Sequence, residues 1–267
     1  MLLETKNAVI HGAGGAIGGA IARAFAREGA KVFLAGLSRA RLDEVAHDIA
    51  AAGGKAEAAQ VDALDEDAVE RHAAEVKGRA GSIDICVNAV GIDIGNQGIP
   101  LVELSADDYA EPITAYTRTN FVTARATARH MMAAGAGTVL SLSPPMSRTP
   151  VALSGPFGIA GAAVEAMSRQ LAAELGPHGV RFVGLRLNGI PETAEVLGSH
   201  TRQMWRRAAE KLNVPFEDLL ESVGSGGHLK RPLTVAEVAN VATFAASDRA
   251  RYMTGTIINV TGGSSPD

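Results

Sequence analysis

The chain has 267 residues, 46% of them hydrophobic and 20% charged, enough to bury a sizeable core as one α/β domain. A formal net charge of −4 without any Lys/Arg cluster excludes the basic stripe a nucleic-acid backbone requires, and no stretch approaches the ~18 apolar residues of a membrane span. The single cysteine, Cys86, cannot form an intramolecular disulfide; with no basic leader ahead of a long apolar run, a soluble cytoplasmic protein is expected, with neither nucleic acid nor membrane as partner and no metal.

Residues 6–10 form a short apolar run, followed at once by HGAGGAIGGAIARAFAREGA, in which Ile17, Ile21 and Phe25 recur every four residues and give a helix an inward stripe. Strand, glycine turn and helix thus open the chain. Gly12, Gly14 and Gly18 stand as GxGxxxG, with Gly15 and Ile17 between them. Glycines let the backbone approach a pyrophosphate, whose charge rests at the helix N-terminus.

A second strand, 31–35, runs into GLSRARL. A site that prefers NAD places an acid here for the ribose hydroxyls, but Ser38, Arg39 and Arg41 come first and no acid appears before Asp43, which favours NADP(H) over NAD(H). The competing account of Arg39 and Arg41 is the solvated face of a helix over 39–52. A third strand, 56–61, leads to Asp62 and Ala63; a helix over 66–79 follows; and a fourth strand, 83–87, ends in Asn88-Ala89-Val90-Gly91. Residues 92–111 read as a loop before a helix over 113–132 carrying Asn120. Then come a strand at 138–142, a Pro-broken loop at 143–156, an Ala-rich helix and a strand at 180–185. Two amphipathic segments, 194–212 and 215–223, lie within a stretch, 193–230, expected to cover a ligand cleft, and a final helix and strand close the chain. The alternation predicts an α/β fold, a doubly wound parallel sheet (Rossmann fold) in a single domain, with ligand at the C-terminal edge of the strands.

The pattern GxxAxxxAVxxxSRxLAxEL after the loop, the opening glycine turn, the NAVG step, TNFVTARATARHMM around Asn120 and the closing RPLTVAEVANVATFAASDRARYMTGTIINVTGG together resemble the short-chain dehydrogenase/reductase family over nearly the whole chain. The resemblance implies that Gly12, Gly14, Gly15, Ile17, Gly18, Ser38, Arg39, Asp62, Ala63, Asn88 and Gly91 contact a nicotinamide dinucleotide, with Asn88 tying strands together. It also implies a homo-oligomer built through the helices bearing Asn120 and residue 157, and a small-molecule substrate.

Departures from the family pattern fall at the chemistry. The family ends the strand before the loop with Ser and, thirteen residues on, begins a YxxxK motif; that spacing lays Pro144, Phe157 and Gly161 on the Ser, Tyr and Lys positions. None of the three has a side chain that can give a proton. The tyrosines are Tyr109, Tyr116 and Tyr252, and none has Lys four residues on, so Asn120 is the one catalytic member that remains. Ser143, Arg148, Ser154 and His200 are candidate substitutes. Trp205, the only Trp, with Arg202, Arg206 and Arg207 nearby, suggests an anionic or aromatic ligand, against the alternative of a buried Trp with arginines in water. Three functions stay open: an oxidoreductase on a carbonyl, alcohol or conjugated alkene without the Tyr-Lys relay; an inactive homologue with a regulatory or partner role; and a lyase or cyclase using the same cleft.

Overall fold

The computed structural model describes residues 1–93, 97–195 and 200–266, and of His200 only its place in a helix. Seven parallel strands are described: β1 (Asn7–His11), β2 (Lys31–Gly36), β3 (Lys55–Gln60), β4 (Ile85–Asn88), β5 (Gly137–Ser143), β6 (Val180–Leu187) and β7 (Thr256–Val260). Their order across the sheet is β3-β2-β1-β4-β5-β6-β7, so the chain winds outward from β1, returns, and continues on the other side with β4. At that reversal the crossovers leave in opposite directions and open a crevice at the carboxyl ends of β1 and β4.

Eight helices, α1 (Ala16–Arg27), α2 (Arg39–Ala51), α3 (Glu66–Ala80), α4 (Ala106–Ala134), α5 (Phe157–Leu175), α6 (His200–Leu212), α7 (Phe216–Ser225) and α8 (Val235–Ala246), are described. The sheet's period of two feeds two cores. Ala8 and Ile10 of β1, Val32 and Leu34 of β2 and Val183 and Leu185 of β6 pack with α1, α2 and α8, whereas Val9, Phe33 and Phe182 pack with α3, α4 and α5. Strands covered on both faces explain the unbroken apolar runs in the sequence.

The loop expected over 92–111 is a correction. α4 starts at Ala106, where the Ser105 side chain accepts from the Asp108 amide and Asp107 and Asp108 occupy the first turn. Pro112 sits inside this helix and removes one amide, but the carbonyl it would have reached belongs to the exposed Asp108, where water can serve. Pro112 lies in the second turn with its ring buried, and the helix tolerates it there because the carbonyl it abandons, that of Asp108, is on the exposed side.

One buried polar contact lies under the crevice. His11, the last residue of β1, is 2% exposed, and neither ring nitrogen has a hydrogen-bond partner among the described residues. Its ring meets His72 of α3 edge-on at 6.2 Å between centroids. Burial, and then the neighbouring His72, push the His11 pKa down to about 3. An unfolded histidine titrates near ~6.5, so between those values the unfolded chain binds a proton that the folded one refuses, and stability falls as pH falls through that window. His11→Thr should therefore lose less unfolding free energy than the parent between pH 6.5 and pH 4, by about 1–3 kcal/mol in urea titrations. Equal pH slopes would show that His11 protonates without unfolding the chain.

Candidate active site

A cleft of about 750 Å³ runs along the carboxyl ends of β1, β2, β4, β5 and β6. Its floor is the β1–α1 turn. Gly12 has φ +79°, and a Cβ there would lie 2.3 Å from the Ala89 carbonyl oxygen; a Cβ on Gly18 would lie 2.3 Å from that of Gly12. Neither position accepts a side chain, because backbone presses on backbone. Gly14, Gly15, Ala16 and Ile17 line the cleft as α1 begins, so the open end of a helix faces the space, a donor arrangement that suits a pyrophosphate. Ala16 adds its methyl without closing the turn.

Ser38 and Arg41 line the cleft beyond β2, as do Asp62 and Ala63 beyond β3. Arg39 does not: it is paired with Asp43 one turn along α2, at 2.8 Å. Asn88 and Gly91 line it at the end of β4. The Asn88 amide donates to Thr123 Oγ1 at 2.9 Å and its Oδ1 accepts from the Val90 amide at 3.1 Å. It thus ties β4 to α4, not strand to strand as the family pattern implied, because its side chain points off the sheet face.

At the far end, Pro144 and Phe157 line the cleft and Gly161 lies buried behind them. A Cβ on Gly161 would meet the Pro144 ring at 2.4 Å (Cδ) and 2.8 Å (Cγ) and Ser147 Cβ at 3.2 Å. The proline ring fills the space where a side chain at 161 would begin. The two residues form one packing unit. Phe157 stands edge-on to Tyr116 of α4, 6.2 Å between centroids. Tyr116, which no motif in the sequence marks as part of the site, sits four residues before Asn120 and hence on the same helical face. Its hydroxyl donates to the Leu142 carbonyl at 2.7 Å, and burial, followed by the Glu165 charge, raises its pKa above the usual phenol. Asn120 is behind the cleft wall, not in it: its amide donates to the Tyr116 carbonyl at 2.9 Å, and its Oδ1 is buried without a partner among the described residues.

Pro144 is held from both sides by one carboxylate. Ser143 Oγ donates to Glu165 Oε1 at 2.8 Å and Ser147 Oγ at 2.5 Å, while Arg186 of β6 donates through Nε to Oε1 and through Nη2 to Oε2, each at 2.9 Å. Burial opposes ionisation of Glu165, but hydrogen bonds from Arg186, Ser147 and Ser143 outweigh it and hold the carboxyl below its usual range. No local pattern in the sequence joins these residues, which come from two strands, a loop and a helix.

The candidate substitutes fare unequally. Ser143 is committed to Glu165, and Arg148 faces a separate hollow beside Glu165 and Arg186. Ser154 lines the cleft, its amide on the Val151 carbonyl and its hydroxyl without a partner among the described residues. The His200 side chain lies outside what is described. Among the described residues no lysine lines the cleft, and no group of His, Cys, Asp and Glu could hold a metal.

α6 and α7 form the outer wall, with Met204, Trp205, Ala208, Leu212, Leu219 and Val223 facing inward. Leu187, Asn188 and Thr193 line the wall beyond β6. The arginines beside Trp205 turn elsewhere: Arg207 meets Asp93 at 2.6 and 2.8 Å, and Arg206 lies over the Phe216 ring at 5.4 Å.

Fold and glycine turn define a dinucleotide-binding α/β protein. A family model described as enoyl-(acyl carrier protein) reductase matches residues 12–265. An oxidoreductase of Mycobacterium tuberculosis, MT0954, is 30% identical over 262 residues, covering 98% of this chain and 92% of its own. Gluconate 5-dehydrogenase of Gluconobacter oxydans is 28% identical over 261 residues, covering 98% and 95%. The solved structure of gox2181 superposes with a TM-score of 0.84 at 25% identity over 98% of this chain and 96% of that one. The chain belongs to the short-chain dehydrogenase/reductase family, whose members bind NAD(P) and act on small molecules. No helix among the described residues is long and apolar enough to cross a membrane.

Two outcomes follow from this packing. Gly161→Ala should destabilise the chain by about 1–3 kcal/mol through overpacking, and the penalty should shrink when Pro144→Ser is made first; additive effects in the double-mutant cycle would separate the two positions. Arg186→Met, which leaves Glu165 buried without its cation, should cost about 3–5 kcal/mol in urea unfolding at neutral pH. Because the Glu165 pKa is depressed, that gap should narrow as pH falls through the folded value, and a pH-independent gap would show that Glu165 is not the partner that matters.

Proposed function

We propose that this chain is an oxidoreductase that holds NADP(H) in preference to NAD(H) and works on conjugated alkenes, where the proton that completes the reaction comes from water. When bound, the dinucleotide supplies the hydride. Gly12, Gly14, Gly15, Ile17 and Gly18 cradle the pyrophosphate, Ser38 and Arg41 meet the 2′-phosphate, Asp62 and Ala63 border the adenine, and Asn88 and Gly91 shape the ribose wall. Arg39, engaged by Asp43, contributes only to the surrounding field. Residues 193–230 act as the lid through α6 and α7, and Asn120 braces α4 through Tyr116.

The observation that carries this reading is the fate of the described groups at and beside the positions of the family's proton relay. Pro144, Phe157 and Gly161 offer no proton, and Ser143, Tyr116 and Asn120 have theirs committed to Glu165, the Leu142 carbonyl and the Tyr116 carbonyl. Ser154 has neither a base nor a cation within the described contacts to activate it. A carbonyl reduced to an alkoxide needs a positioned acid, whereas the carbanion from a conjugated alkene, spread over the adjacent carbonyl, is protonated from solvent. A lyase or cyclase draws little support, since it too needs a placed acid or base. The partner reading draws on the Pro144–Gly161 packing, which leaves no room for the lysine. Half-exposed Phe121 on α4 and Ile159 on α5 support a homo-oligomer through those helices. Cys86, buried with its thiol pushed up to about 12, suits a cytoplasmic setting in which it serves as a small hydrophobe.

Fluorescence titration should give tighter binding for NADPH than for NADH, and NADPH oxidation should be seen with 2-cyclohexenone but not with cyclohexanone. In D₂O the product should carry deuterium at the carbon next to the carbonyl. Tight binding with no oxidation by either ketone would move the chain to the partner reading, and no nucleotide binding would end both. Pro144→Ser, Phe157→Tyr and Gly161→Lys made together should raise NADPH affinity about 10- to 100-fold through the restored cation.

A further inference from the structure

Charge and carbon are divided along the cleft. Among the described residues its charged lining side chains are Arg41 and Asp62, both at the ends of β2 and β3, and from Phe157 outward no Asp, Glu, Lys or Arg lines it. Residues 94–96 and 196–199 contain no Asp, Glu, Lys or Arg in the sequence; of the side chains outside the description at 94–96 and 196–200, His200 alone is titratable. The outer half is walled by Met146, Phe157, Met204, Trp205, Leu212 and Val223. Its hydroxyls are largely engaged within the chain: Thr193 Oγ1 donates to the Ile190 carbonyl at 2.7 Å, Ser222 Oγ to the Leu219 carbonyl at 2.8 Å, Thr149 Oγ1 shares a hydrogen bond with Ser265 Oγ at 2.9 Å, and Ser264 Oγ donates to Asn188 Oδ1 at 3.3 Å. Among the described residues the Ser154 hydroxyl lines this half without a partner. The cations nearest Trp205 in sequence are turned to Asp93 and Phe216.

We infer that the outer half of the cleft takes an uncharged, mainly apolar ligand carrying one polar atom, seated between Trp205 and Phe157 with that atom toward Ser154. This rests on the reading of the cleft as the substrate site of a dinucleotide-linked enzyme. The reason is desolvation. A carboxylate or phosphate would be stripped of water with no lining counter-charge to receive it, and a polyol would surrender more hydroxyl hydration than Ser154 and the amides of Gln97 and Asn188 could replace. Carbon surface and aromatic faces reward apolar area instead.

Trp205 is the only tryptophan, so its fluorescence reports on this half alone. The full chain, with and without NADP⁺, should be titrated with 4-phenyl-2-butanone, 3-phenylpropanoate and sorbitol, the first two matched in shape and differing in charge. The ketone should bind at least about 10-fold more tightly than the carboxylate, and sorbitol should give no saturable change. Carboxylate or sorbitol binding as tight as that of the ketone, or no saturable response to the ketone, overturns the proposal. Leu212→Lys supplies a cation at a position 37% exposed, at the C-terminal end of α6 where a cation is tolerated. It should raise carboxylate affinity at least about 3-fold without improving the ketone; no gain would show that a missing counter-charge is not what excludes the anion. Ketone binding in a chain that fails to bind NADP⁺ would count against the cofactor assignment and leave this inference standing, whereas tight NADP⁺ binding with carboxylate preference would end this inference alone.

Discussion

One buried carboxylate organises the reaction end of this protein. Glu165, on α5, receives hydrogen bonds from Ser143 at the end of β5, from Ser147 in the following loop and from Arg186 on β6. A buried ion pair adds little net stability over a well-packed apolar replacement, but it is costly to break, so it specifies geometry. Here it specifies where the loop after β5 leaves the sheet, and Pro144, between the two serines, has no freedom to move away from α5.

From that fixed proline the remaining replacements follow as one set. The ring of Pro144 occupies the root of any side chain at 161, which makes glycine the residue that fits there. Phe157, one turn earlier on α5, packs edge-on against Tyr116, and Tyr116 turns its hydroxyl away to the Leu142 carbonyl. The result is an apolar wall whose described donors are satisfied within the chain. Mutual contact closes the wall, and behind it the Asn120 Oδ1 is buried without a partner among the described residues.

The two halves of the cleft have different physical characters. Around the β1–α1 turn, backbone lies so close to backbone that Gly12 and Gly18 admit no substitute, and the space in front of α1 keeps the donors of an open helix end. Beyond Phe157 the lining carries no charge and is mostly carbon, from the loop after β5 and from α6 and α7. A scaffold with a glycine cradle at one end and apolar surface at the other is suited to hold a dinucleotide beside a ligand that asks for little polar help.

Much of this was legible in the sequence because it depends on neighbours along the chain. Strand runs, the Ile17-Ile21-Phe25 stripe and the glycine spacing are short-range patterns, and they yield the doubly wound fold and the dinucleotide turn; the thirteen-residue and four-residue spacings yield Pro144, Phe157 and Gly161. The first turns of α4 were not legible, since whether a helix can run through Pro112 depends on whether the carbonyl that the proline abandons meets solvent. Only the tertiary structure brought Glu165 to Ser143 and Arg186, set Pro144 on Gly161, placed Tyr116 against Phe157, and turned Arg39, Arg206 and Arg207 away from the cleft while leaving Arg41 on it. Those contacts join residues from different elements, so they depend on how strands and helices pack, which no local spacing in the chain encodes.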